Sequence, residues 1–159
     1  MIHCLFLPLY SQEKAYRDYG HDMDNTDTLL ECGLSFTCDF GKPGGFIGMD
    51  HVQQQRQILE EEGGLRKRMV QVLVKDPEPL LHHGEILWRN GSLAVCEIRS
   101  ASYGHTLGGA VGLAMLESDC INKDYIASST WEVETPTGRY PCEISLSPLY
   151  DPKNRRINV

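Results

Sequence analysis

Glu85-Ile86-Leu87-Trp88-Arg89-Asn90-Gly91-Ser92-Leu93-Ala94-Val95-Cys96-Glu97-Ile98 decides the architecture of this chain. Two apolar runs flank the dipeptide Asn-Gly. Both central positions of a type I′ turn need positive φ, which Asn and Gly tolerate, so the stretch predicts a two-residue β-hairpin. The pattern returns downstream, where Thr130–Glu134 and Arg139–Leu146 flank Thr137-Gly138. Upstream, Met69, Gln71 and Leu73 alternate with Val70, Val72 and Val74, which predicts a mostly apolar strand of about eight residues. Asp76-Pro77-Glu78-Pro79 is a turn by composition, and Ala110–Leu116 is one more apolar stretch. Strand signals recurring every 8–12 residues or so between 65 and 150 imply about six strands in a small barrel or sandwich.

The first third reads differently. Residues 11–24 are polar and aromatic, broken at Gly20. Within Thr28–Phe40, Leu34-Ser35-Phe36-Thr37-Cys38 alternates like a half-buried strand. Gly41-Lys42-Pro43-Gly44-Gly45 is a loop, and Asp50 is placed to cap a helix running to about Glu62. Val52, Ile58 and Leu59 give that helix a thin contact stripe, and Gly63-Gly64 ends it. The expected fold is α+β and mainly β: a compact β domain, barrel or sandwich, at 65–150, with an α/β segment at 1–62 packed beside it. Met1–Phe6 reads either as an ordinary buried strand or as the start of a chain whose upstream partner is missing. Met1–Tyr10 has no basic lead and no small-residue cleavage site, which argues against a signal peptide.

The chain has 159 residues, 41% hydrophobic and 23% charged, the composition of one globular domain. Fifteen Lys and Arg against twenty-two Asp and Glu give a formal charge of −7. That balance argues against a nucleic-acid partner, and no apolar run approaches the roughly 20 residues of a membrane helix. Cysteines at 4, 32, 38, 96, 120 and 142 include no C-x-x-C and no zinc-finger spacing to the histidines. We therefore expect reduced thiols and no structural metal. Asn90-Gly91-Ser92 matches a glycosylation sequon, discounted because no export signal accompanies it.

Few motifs carry chemistry on their own. Gly41-x-x-Gly44-Gly45-x-x-Gly48 is not a nucleotide-binding fingerprint, and Tyr103–Gly109 follows no strand–turn–helix pattern; its glycines suit a tight barrel corner. His105 has flexible flanks that suit a general base but no neighbouring nucleophile. His82-His83 reads as loop surface. Arg66-Lys67-Arg68 is a solvated strand entry or a counter-ion for an anionic ligand tail. Glu13 lies near Tyr16 and Tyr19, and Glu31 near Leu34 and Phe36. A carboxylate in such surroundings is either a helix-surface group or an acceptor for paired N–H donors of a flat heterocycle.

Several motifs then occur in order: Glu13-Lys14-Ala15-Tyr16-Arg17-Asp18-Tyr19-Gly20-His21-Asp22, Leu30–Thr37, Phe46-Ile47-Gly48, Gly84–Gly91, Ser100–Gly108 and Ser147–Pro152. Together, over about residues 12–158, they resemble the C-terminal part of the aminomethyltransferase (glycine cleavage T-protein) superfamily. They lean toward the folate module of sarcosine and dimethylglycine dehydrogenase-like flavoenzymes. The resemblance implies that 1–62 is the tail of an α/β folate-binding subdomain, 65–152 the family's six-stranded C-terminal β barrel and 153–159 a tail. It implies tetrahydrofolate as cofactor, with Glu13 on the pterin, Lys42 as a second contact and Tyr19 as a stacking or lining residue. Lys42 stands where the T-proteins have an arginine, so the bidentate fork is lost. Gln12 replaces a usual basic residue. The family's catalytic aspartate and the FAD-binding domain lie in sequence this chain does not contain, so no catalytic residue is assigned. The upstream flavin domain is the implied partner, the mitochondrial matrix or the cytoplasm the implied compartment, and inactivity in isolation the implied behaviour. The alternatives are a stand-alone aminomethyltransferase of glycine cleavage or a non-catalytic barrel that docks a partner.

Overall fold

The computed structural model describes residues 11–156; the reading of Met1–Tyr10 lies outside them. Six strands follow one another: β1 (Leu65–Val74), β2 (Ile86–Arg89), β3 (Ser92–Gly104), β4 (Gly109–Ile121), β5 (Trp131–Thr135) and β6 (Gly138–Ser145). Helix α1 (Met49–Glu62) precedes them, and the short α2 (Lys123–Ala127) joins β4 to β5. All pairings are antiparallel and the sheet closes in the order β1-β4-β3-β2-β5-β6. Of the barrel and the sandwich that the strand signals allow, the structure is the closed barrel, as the resemblance implies. Asn90 and Gly91 both adopt positive φ between β2 and β3, as a type I′ turn demands.

Closure puts one face of each strand inside. Val70, Val72 and Val74 meet Leu87, Ile98, Leu116, Val133 and Ile144 in the barrel core. The opposite face of β1 and β4 is covered too: Met69, Leu113 and Met115 pack with Ala15 and Cys32 from the N-terminal segment. Residues 109–116 are consequently buried on both faces, which explains an apolar run without alternation. Burying each such side chain contributes about 1.5–3 kcal/mol. A third cluster, Leu30, Val52 and Leu65 with Leu59, Phe40 and Phe46, seats helix α1. At the tip of the β3–β4 hairpin a Cβ on Gly109 would stand 1.9 Å from the Val74 carbonyl oxygen. Only hydrogen fits there.

The first third departs from expectation in two places. Leu34–Cys38 is not a strand. Ser35–Thr37 is a 3-10 turn and Phe36 is 80% exposed. Five alternating residues are too few to outweigh the strong local signals just before them. Thr28 and Glu31 exchange bonds as a capping box: Thr28 N donates to Glu31 Oε2 at 2.8 Å and Glu31 N donates to Thr28 Oγ1 at 3.2 Å. Gly33, at φ 72°, closes the same turn, its N–H reaching Leu30 O while Leu34 N reaches Leu29 O. Second, α1 begins on Gly48 at φ 84° with no side-chain cap; Asp50 sits in the first turn instead. Elsewhere the described part of this segment holds turns and one isolated bridge, Tyr19 to Met23.

Buried polar contacts dock this segment on the barrel. Gln71 of β1, 2% exposed, donates from Nε2 to Gln12 O at 2.6 Å and Glu13 O at 3.1 Å. Its Oε1 accepts from Leu149 N at 2.6 Å. Lys14 Nζ pairs with Asp151 at 3.0 Å, tying the segment to the C-terminal end. The Asp27 carboxylate, 0% exposed, holds Lys67 Nζ at 2.6 Å and Arg99 Nη1 at 2.7 Å, joining its turn to β1 and β3. Burial pushes the Asp27 carboxyl up, but the bonds from Lys67 and Arg99 outweigh it and leave it below its ordinary value. The same pair raises Lys67.

Two outcomes follow from this packing. Gly109→Ala displaces the Val74 carbonyl and should cost about 1–3 kcal/mol, read as a lower urea midpoint at unchanged m; an unshifted midpoint contradicts the close approach. Asp27→Asn leaves two cations without their carboxylate and should cost about 3 kcal/mol at neutral pH. The folded Asp27 binds its proton less readily than the unfolded chain. Its contribution is therefore full above about pH 5 and is lost as pH falls through the folded value. The stability gap between wild type and Asp27→Asn should close in acid; a gap constant from pH 7 to pH 3 contradicts the pairing.

Candidate functional site

The seam between residues 11–23 and the barrel encloses a cavity of about 910 Å3. Gln12, Tyr16, Arg17 and Asp22 line it from the segment, and His83, Arg99 and Ser100 from the barrel side. A polar chain runs along its wall. Gln12 Nε2 donates to Ser100 Oγ at 2.7 Å, Ser100 Oγ donates to Asp22 Oδ1, and Asp18 N donates to Asp22 Oδ2 at 2.7 Å. Arg99 Nη1 reaches both Asp22 O and Asp27 Oδ2 at 2.7 Å. His83 Nδ1 lies 2.7 Å from Arg99 O, and His21 Nδ1 lies 2.8 Å from Asp18 Oδ2.

Two groups in this wall are buried without a partner, Gln12 Oε1 and Arg17 Nε, and the first is an acceptor. Gln12 is 7% exposed, and its Oε1 is buried with no hydrogen-bond partner. An unpaired buried amide oxygen costs roughly 1–3 kcal/mol, so it marks a place for an N–H donor. Gln12, where the resemblance implies a basic residue, thus has an acceptor to spare.

The three residues the sequence nominates do not converge here. Glu13 is 2% exposed, and its Oε1 accepts from Thr106 N at 2.7 Å and Leu107 N at 3.0 Å. The paired N–H donors expected of a heterocycle are supplied by the chain's own β3–β4 turn. Tyr19 is 66% exposed, between Asp18 and Gly20, which both line the cavity. Lys42 is exposed on its turn, where its carbonyl accepts from Gly45 N at 2.9 Å. Neither Glu13 nor Lys42 lines this cavity. Glu31 is occupied with Thr28 and with Gln55 Nε2, at 3.2 Å. His105 is exposed and packs edge-on against Tyr103 at 5.2 Å.

Sequence reasoning missed Gln71, Asp27, Ser100 and Arg99. Ser100 belongs to a quoted motif, but its partners Gln12 and Asp22 are 88 and 78 residues away, beyond any local signal. The five described cysteines are free, and burial pushes the Cys32 thiol up to about 11, which makes it a poor nucleophile. Among the described residues no three His, Cys, Asp or Glu side chains are grouped to hold a metal, and no helix is long and apolar enough to cross a membrane.

With this geometry in view, the chain can be set beside known proteins. Residues 67–151, more than half of the chain, match the family described as the glycine cleavage T-protein C-terminal barrel domain. The chain is 39% identical over 145 residues to 4-methylaminobutanoate oxidase (formaldehyde-forming) of Paenarthrobacter nicotinovorans, covering 91% of this chain and 16% of that protein. It is 30% identical over 150 residues to mitochondrial sarcosine dehydrogenase of Homo sapiens, covering 92% and 16%. Among solved structures, the glycine cleavage system aminomethyltransferase T of Bartonella henselae superposes with a TM-score of 0.64 at 14% identity, over 91% of this chain and 38% of that one, a likeness of fold. The chain spans about a sixth of the length of each of these two enzymes. Closed barrel, matched residues and relatives agree: this chain belongs to the glycine cleavage T-protein C-terminal barrel family and is an aminomethyltransferase-like C-terminal module.

Proposed function

We propose that this chain serves as the folate-side module of a longer amine-oxidising flavoenzyme of the sarcosine or dimethylglycine dehydrogenase kind. What carries the reading is identity that runs through nearly the whole chain: 39% with the bacterial oxidase and 30% with the human dehydrogenase, over 91% and 92% of its length. The seam cavity supports it. A reduced folate offers ring N–H donors, and Gln12 Oε1 is a buried acceptor without one. Tyr16 lines the cavity with an exposed ring, and the exposed Tyr19 stands between two residues that line it; an aromatic ring is suited to pack on a flat heterocycle.

The roles of the residues follow. Gln12 orients the ring through its free oxygen. Tyr19 covers one ring face. Lys42 supplies charge from its loop to the anionic end of the cofactor. Glu13 acts through the β3–β4 turn: holding Thr106 and Leu107, it sets the hairpin tip against the N-terminal segment, and its role is positioning rather than direct gripping of the pterin. The bound folate would supply the one-carbon acceptor, while binding, orientation and exclusion of water fall to the module. No dinucleotide fingerprint occurs in this sequence, so FAD and amine oxidation belong to an upstream flavin domain.

Tetrahydrofolate titrated into the purified chain under anaerobic conditions should quench intrinsic fluorescence saturably. Tyr19→Ala should weaken binding about 3–10-fold, the worth of one ring contact. Sarcosine added with the folate should give no turnover. Absence of saturable binding, or full affinity in both Tyr19→Ala and Gln12→Leu, contradicts the assignment of the cavity.

A further inference from the structure

We infer that Arg17 and Arg68 form a binding site for a small oxyanion, a phosphate or carboxylate group, at the Gly33 turn. The two guanidinium groups come from different parts of the chain, Arg17 from the N-terminal segment and Arg68 from β1. They face the same glycine. A Cβ placed on Gly33 would stand 3.1 Å from Arg17 Nη2 and 3.4 Å from Arg68 Nη2. Each arginine is anchored through its other nitrogen: Arg17 Nη1 donates to Ala15 O at 2.7 Å, and Arg68 Nη1 donates to Leu30 O. The anchors turn both Nη2 groups toward the same stretch of backbone, and the missing side chain of Gly33 is what lets the two guanidinium groups come this close to it and to each other.

Charge balance makes this pair unusual within the molecule. Nearby, Lys67 and Arg99 also bring two cations together, and the buried Asp27 carboxylate answers both. Arg17 and Arg68 share no such acid: among the described residues neither makes an ion pair. Burial, then the neighbouring Arg68, pushes the Arg17 guanidinium below its ordinary value, and burial does the same to Arg68. Asp22 and Cys32 pull Arg17 the other way without bonding to it. Arg17 Nε is in addition buried and unpartnered. Two partly desolvated like charges held close together are unfavourable until an anion answers them. A planar or tetrahedral oxyanion accepts from both forks, the arrangement for which guanidinium groups are suited. The site is reachable, since Arg17 lines the seam cavity, Arg68 lines a second cavity of about 850 Å3, and Gly33 is itself partly exposed.

The inference needs no folate and is tested without it. The thermal midpoint of the full chain is measured in chloride, inorganic phosphate and acetate at matched ionic strength and pH. Phosphate, acetate or both should raise the midpoint saturably over chloride, by about 2 °C or more at saturation. Arg17→Met should abolish the rise, and Arg66→Met, an exposed arginine of the same basic run, should keep it. The arm that responds says which oxyanion the pair prefers. As a second measurement that does not depend on stability, the Arg17 side-chain Nε–Hε resonance should shift saturably with the active anion. No anion-specific rise in the wild type, or a rise undiminished in Arg17→Met, overturns the site.

Discussion

The side chain of Gln71 holds three parts of this chain in register. It sits on β1 among valines and is nearly inaccessible to solvent. A buried carboxamide must satisfy two donors and an acceptor, and this one does so by reaching Gln12 O, Glu13 O and Leu149 N. The N-terminal segment, the central strand of the seam and the chain after β6 are thereby bonded to one group. Replacing apolar packing with such a contact adds little net stability, but it tolerates one arrangement only. The segment cannot slide on the barrel without leaving the amide unpaired.

That constraint locates the functional surface. Because Gln71 fixes residues 12 and 13, Gln12 presents its side chain to Ser100 while Glu13 turns to the β3–β4 hairpin. Asp27 sets the other end of the segment against β1 and β3. The cavity is what remains between these fixed points. It combines an unsatisfied acceptor with aromatic surface, which suits a flat donor-rich ligand, and a pair of unanswered guanidiniums lies nearby, which suits an anion. The barrel is thus the foundation of the site, and the chemistry faces outward from its covered flank.

Much of the barrel was legible in the sequence because hairpins are local. Asn90-Gly91 announces its turn through residues that accept the backbone angles, while Thr137-Gly138 marks the second hairpin one residue late, since Gly138, at φ 146°, already pairs with Thr135. Strand order was not legible, because nothing local places β1 between β4 and β6. Gln71 reads as an ordinary outward residue of an alternating strand; only the segment folded over that face makes it buried. Leu34–Cys38 misled for the opposite reason. Its alternation is real, but the capping box at Thr28 and the left-handed Gly33 commit the chain to a helical turn just before it. The interest of Glu13 was legible from its neighbours. Its partners were not, since they are backbone amides more than ninety residues away, which any sequence can offer.

Hydrogen exchange at three amides tests most directly whether segment and barrel form one unit. Thr106 and Leu107 lie in a hairpin turn and donate to Glu13, and Leu149 lies beyond the last strand and donates to Gln71. By their position in turns and tails all three should exchange quickly. Docking as described here makes them protected to an extent comparable with amides of β1. Exchange of all three at the rate of free turns, with β1 still protected, would show a barrel that folds without its N-terminal segment, and the site at the seam would have no basis.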